Sequence, residues 1–134
     1  LEETTIVQLQ YPLSNRKRQP MPAGGYFSTA GDVAKFCQMV LNGGTLNGKK
    51  VLSEDAVKVM TSKQTSELLK ENYGVGWSTG GNVGHGGALS TNMSIDTKKG
   101  LIFVWLVQHA GFPNDGNKAQ GQFRKAAETL FEKK

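Results

Sequence analysis

The hydrophobic positions change period along the chain, and each change marks an element. Val33, Phe36, Cys37, Val40 and Leu41 recur three and four residues apart, which predicts a helix with one buried face. Ser28 or Thr29 supplies its N-cap, and Asp32 puts negative charge in its first turn. Asn42-Gly43-Gly44 stops it with residues that tolerate positive φ. Thr45 to Leu52 then reads as a hairpin around Asn47-Gly48, because both turn positions of a tight hairpin require positive φ. Ser53 caps a second helix, with Glu54 and Asp55 in its first turn and Val57 and Met60 facing inward. Thr61 to Asn72 is polar and mixed.

From Tyr73 the period shortens to two. Tyr73-Gly74-Val75-Gly76-Trp77 alternates side chains with glycine and predicts a strand lying close against another backbone. Gly80-Gly81-Asn82 turns the chain into Val83-Gly84-His85-Gly86-Gly87-Ala88. Asn92 to Ile95 and Leu101 to Gln108 read as two further antiparallel strands around the turn Asp96 to Gly100. The last strand is apolar on both faces, which predicts a central strand covered on both sides. Residues 117–133 read as a closing helix with Ala119, Phe123, Ala126, Ala127, Leu130 and Phe131 as its inner stripe. Upstream, Thr4 to Leu9 suits a short strand and Ser14 to Ala23 a proline-broken loop, so residues 1–23 form an irregular N-terminal segment. The order predicts an α+β architecture: an antiparallel meander of about three main strands, plus a small hairpin, packed with helices.

Composition narrows the function classes. The 134 residues are 37% hydrophobic and 20% charged, a globular balance and not a disordered or fibrous one. The longest apolar run, Leu101 to Val107, is seven residues, whereas a membrane span needs ~20. The single Cys37 excludes an internal disulfide, and its apolar surroundings predict an inert buried thiol. His85 and His109 have no cysteine or carboxylate at ligand spacing, so no metal and no organic cofactor is implied. The net charge of +5 raises the question of nucleic acid. The one dense basic cluster, Arg16-Lys17-Arg18, lies beside Pro20 and Pro22 without interleaved aromatics, which favours a solvated loop. The chain opens on Leu1-Glu2-Glu3 without initiator methionine or leader, which reads as an excerpt of a longer protein or a processed product and leaves the compartment open.

The stretch richest in chemistry is Gly84-His85-Gly86-Gly87-Ala88. A histidine among glycines on a strand sets a titratable group beside an approachable backbone, where a substrate could lie along the edge and meet main-chain N–H groups. Taken alone, a structural turn histidine explains it better, because a lone His-Gly-Gly is a weak signal.

The run from Ala23 onward resembles the β-lactamase-related serine hydrolases: class C β-lactamases, D-alanyl-D-alanine carboxypeptidases and family VIII esterases. The resemblance is carried by an ordered series over about 110 of the 134 residues. Gly24-Gly25-Tyr26-Phe27-Ser28-Thr29-Ala30 opens a helix that Leu41-Asn42-Gly43-Gly44 closes, and Asn47-Gly48-Lys49-Lys50-Val51-Leu52-Ser53 leads to a helix ending near Met60. Tyr73 to Trp77 matches a Tyr-Gly-x-Gly-Trp strand, and His85-Gly86-Gly87 matches the third motif, Lys-Thr-Gly in β-lactamases and His-x-Gly in many esterases and peptidases. The resemblance implies that residues 24–134 are the C-terminal portion of a β-lactamase-like domain, a partial transpeptidase-like fold. It implies that His85 touches substrate or the proton network, and that Gly86 and Gly87 leave room for substrate to lie antiparallel. The Ala88 N–H would be one of two oxyanion donors, the other belonging to the nucleophile. Trp77 would either line the cleft or fill the core. The substrate would be a small molecule or a peptide, and the link to cell-wall chemistry implies an exported parent.

The family's nucleophile motif, S-x-x-K, needs serine and lysine one turn apart at a buried helix start. Ser14-Asn15-Arg16-Lys17 fits the letters but sits in the basic, proline-flanked loop, and eight serines and thirteen lysines make roughly one chance match expected. Ser90-Thr91-Asn92 fits S-x-N but follows His85 too closely, and Gly43 to Lys49 is a near P-loop without its Ser or Thr. The expectation is therefore a segment of an acyl-transfer enzyme without its nucleophile, inactive alone. The 101–108 strand would be an edge that pairs with a complementary N-terminal segment or a second copy, unless a rearrangement covers it. The rivals are a non-catalytic β-lactamase-like module that binds ligands, and a basic surface whose nucleic-acid affinity falls steeply with salt.

Overall fold

The computed structural model describes residues 10–12, 14–19, 21–24, 26–109 and 116–132. The strand expected at Thr4 to Leu9 lies outside the described residues. Helix α1 (Ala30–Leu41) starts where the Thr29 hydroxyl accepts the Asp32 N–H and ends at Asn42, with Gly43 and Gly44 at positive φ beyond it. A two-stranded hairpin follows, β1 (Thr45–Leu46) and β2 (Lys49–Lys50), with Asn47 at φ 49° and Gly48 at φ 75° as the tight turn requires. Ser53 caps α2 (Glu54–Thr61) through the Ala56 N–H. The element order of the P-loop match is thus helix then hairpin, the reverse of what phosphate binding needs.

The main sheet has the order β3-β4-β5, from β3 (Val83–Gly86), β4 (Asn92–Asp96) and β5 (Leu101–Trp105), all antiparallel. Its register places Val83, Ile95 and Ile102 side by side on one face. That face meets α1, and Cys37, Val40, Val57, Trp77, Val83 and Ile95 form one buried cluster with Met93 and Ile102 at its margin. The opposite face carries Phe103 and Trp105 toward α3 (Gly116–Glu132). The Phe123 ring centroid lies 5.4 Å from that of Trp105, and the Arg124 guanidinium lies 4.8 Å over the Phe103 ring. The sheet is sandwiched between helices, an α+β arrangement that sets the end of β3 facing outward.

Three expectations change. β5 is covered on both faces and, among the described strands, lies at one edge of the sheet, as the family resemblance implied and not centrally as its two-sided apolarity suggested. Two-sided apolarity reports what lies above and below a strand, not how many strands lie beside it. Tyr73 to Trp77 is a tight turn and not a strand, closed by the isolated bridge Tyr73↔Ser78 and joined to β3 by Ser78↔Gly84. Gly76 at φ 79° reverses the chain there, and the Gly74 N–H closes the turn on the Trp77 carbonyl at 2.8 Å. The expected close approach does hold, because a methyl group on Gly74 would collide with the Met60 carbonyl oxygen. Finally, the inner stripe of α3 is only partly covered: Phe123 and Ala126 keep exposed surface, and Leu130 and Phe131 at its C-terminal end are exposed too. A helix of 17 residues runs about 25 Å, while a five-residue strand runs about 17 Å, so the helix outreaches the sheet.

Cys37 is fully buried, its sulfur 4.0 Å from that of Met93, and burial raises its thiol above the ordinary 9.0. Modification by a small disulfide reagent should be slower than in denaturant by on the order of a hundredfold or more, since the thiol reacts only after opening. Equal rates in the two conditions would contradict this packing. A folded-state value above the unfolded one means the contribution is complete below 9.0 and is lost as pH rises through the folded value.

Candidate functional site

The site grows from the way β3 ends. The N–H and carbonyl of Gly84 both bond Ser78, at 3.2 and 2.8 Å, so they point away from β4. Strand alternation gives Gly86 the same orientation. Its outer edge has no chain paired to it among the described residues. Glycine is required at position 84 for a separate reason: a methyl group there would strike the Met93 carbonyl and the Ser94 backbone across the ladder.

Beyond Gly86 the chain makes a compact turn. The Gly87 N–H donates to the Thr91 carbonyl at 2.8 Å, and the Ser90 N–H donates to the Gly87 carbonyl at 3.0 Å. The Ala88 N–H between them donates to no carbonyl among the described residues. The turn opens onto a cleft of about 630 Å³ whose walls come from three places. Tyr26, Phe27 and Ser28 precede α1, Gly87, Ala88, Leu89 and Thr91 form the turn, and Leu106, Val107 and Gln108 follow β5.

Ser90 fastens the turn to the far wall. It is held at φ 63°, an uncommon conformation for a residue with a side chain. Its hydroxyl donates to the His109 carbonyl at 3.0 Å, while the His109 N–H donates to the Leu89 carbonyl at 3.2 Å. The letters that mimic S-x-N therefore belong to a clasp beneath Ala88. Ser90→Ala removes one hydrogen bond of about 1 kcal/mol and should speed exchange of the His109 amide by roughly fivefold. An unchanged exchange rate would show that the clasp does not hold the turn.

The proposed site residues fall into separate places. Gly87 and Ala88 line the cleft, whereas His85 and Gly86 lie on the strand leading to it. His85 is exposed, its ring set edge-on to Tyr73 with centroids 5.8 Å apart, and its Nδ1 faces the Gly86 carbonyl oxygen. A carbonyl only accepts, so in that contact Nδ1 is the donor. Trp77 is 2% exposed and stacked on Phe36 with centroids 5.7 Å apart. It fills the core, and the cleft-lining alternative is set aside. Tyr26, Phe27, Leu106 and Val107 were not singled out in the sequence. Tyr26-Phe27, an aromatic pair ahead of a helix cap and outside any helical stripe, was the available signal.

The model of the Beta-lactamase family matches residues 3–127. The chain belongs to the β-lactamase family. This is a family of serine hydrolases, and the described helices and antiparallel sheet fit a partial β-lactamase-like fold. Among curated proteins, the chain is similar to Protein Rv1367c of Mycobacterium tuberculosis (strain ATCC 25618 / H37Rv), 33% identical over 79 residues. That match covers 57% of the chain and 18% of the relative. It is also similar to a protein of Escherichia coli O157:H7 named "Putative D-alanyl-D-alanine carboxypeptidase", 38% identical over 59 residues, covering 44% of the chain and 13% of the relative. The chain thus aligns with less than a fifth of either relative's length.

Within this β-lactamase-family chain, Ser14 is exposed and no residue of 14–19 is helical. The Asn15 N–H bonds the Pro12 carbonyl and the Arg18 N–H the Asn15 carbonyl, a turn that does not hold Ser14 and Lys17 on one helical face. Among the described residues no three His, Cys, Asp or Glu side chains are grouped to hold a metal ion. No helix among them is long and apolar enough to cross a membrane.

Proposed function

We propose that this chain supplies the oxyanion side of a serine hydrolase acting on an ester, peptide or β-lactam, with the nucleophilic serine contributed from outside these 134 residues. The observation that carries the reading is the Ala88 N–H, unbonded among the described residues and set in the cleft wall at the end of a strand with an open outer edge. When a serine attacks a carbonyl, the oxygen becomes an alkoxide and needs preorganised donors. Ala88 provides one N–H and the nucleophile's own backbone the second. Gly86 offers its outward N–H to a substrate lying antiparallel, and His85 stands beside it on the strand, against the Gly86 carbonyl. The side of β5 away from β4 would receive a complementary N-terminal strand or a second copy of the chain.

Removing a nucleophile leaves only the small catalysis that binding and the oxyanion donors provide, so the chain alone should be almost inactive. Intact-mass analysis after incubation with a fluorophosphonate and, separately, a labelled penicillin tests this. No adduct is the expected result. A stoichiometric adduct on Ser14, or on Ser28 in the cleft wall, would overturn the reading by placing the nucleophile within the chain.

A further inference from the structure

We infer that the cleft receives an uncharged, apolar acyl group. This rests on the reading that Ala88 takes the substrate's carbonyl oxygen, since that fixes which part of the substrate faces the walls. The described lining contains no lysine, arginine, histidine, aspartate or glutamate. Its apolar side chains come from all three wall segments, with Phe27, Leu89 and Leu106 among them, and its polar side chains Ser28, Thr91 and Gln108 are neutral. A carboxylate held there would lose hydration without a cation in the lining to replace it, which is costly. Arg18 is outside the lining, its guanidinium 5.3 Å from the centroid of the Phe27 ring. The volume of about 630 Å³ is within the usual range of small-ligand sites, ~300–1,000 Å³. Tyr26, Phe27 and Leu106 all leave apolar surface open to water, which an apolar acyl group would cover.

Amide chemical shifts of the isotopically labelled chain, followed during titration with three probes, test this. The probes are methyl phenylacetate, the phenylacetate anion and monomethyl succinate, whose acyl group ends in a carboxylate. The neutral ester should move the amides of Phe27, Ala88 and Val107 with an affinity at least about tenfold above either anion. Equal or tighter binding of an anion, with the Arg18 amide shifting, overturns the inference, as does the absence of any shift up to the ester's solubility. Shifts at Phe27 and Val107 with Ala88 unmoved keep the apolar site and remove the oxyanion reading, so the two failures are distinguishable. Leu106→Lys, at an already exposed position, should raise phenylacetate affinity above that of the ester. An unchanged preference would count against the cleft as the site.

Discussion

Ile95→Ala should lower the unfolding free energy by about 4 kcal/mol, because it removes a fully buried branched side chain from the centre of the sheet and leaves a cavity. Ile95 stands between Val83 and Ile102 in register and faces the α1 side of the core, so no exposed loop can collapse into the gap. Domains of this kind hold roughly 5–15 kcal/mol in total, so the loss should bring the denaturant midpoint down by a large fraction. Val59→Ala, on the exposed side of α2, should stay within about 0.5 kcal/mol of the parent. Circular dichroism during denaturation separates the two. Near-equal midpoints would mean that Ile95 is not at the centre of the core.

Ala88→Pro should have the largest effect on chemistry. Proline deletes the N–H and puts its ring Cδ in the hydrogen's place, at an exposed turn position. In the serine-bearing hydrolase proposed above, loss of one oxyanion donor should reduce kcat by about 10²–10³, with KM little changed. Ala88→Gly keeps the N–H and should retain most of the activity. A cooperative unfolding transition in both variants keeps the comparison clean. If Ala88→Pro retained full kcat, the oxyanion oxygen would have to be held elsewhere.

Much of this was legible in the sequence because it depends on neighbours along the chain. Thr29, Ser53 and Asn47-Gly48 announce caps and a turn whose hydrogen bonds and φ values are local, and the structure places them as read. The apolar period of α1 was visible for the same reason, although Met39 joins the buried set from outside the expected stripe. What failed depends on distant partners. The apolar faces of β5 could not distinguish helices above and below from strands on either side. Leu130 and Phe131 follow a helical stripe correctly, but the sheet they would cover has ended.

The site divides along the same line. Ala88 and Gly87 were readable because the turn that presents them follows directly from the strand that carries the motif. Trp77 was ambiguous because only the stacking of Phe36, 41 positions upstream by number, assigns it to the core. The clasp from Ser90 to His109 joins residues 19 apart, and no local pattern announces it.

The central claim is that the Ala88 N–H holds the reacting carbonyl oxygen. A crystal structure of the serine-bearing protein trapped as an acyl-enzyme tests it most directly. The acyl carbonyl oxygen should lie about 2.7–3.1 Å from the Ala88 nitrogen, with the acyl group between Phe27 and Leu106. An acyl-enzyme whose carbonyl points away from Ala88 would contradict it, and a serine-bearing protein that binds ligand in the cleft without acylating would favour a non-catalytic binding module.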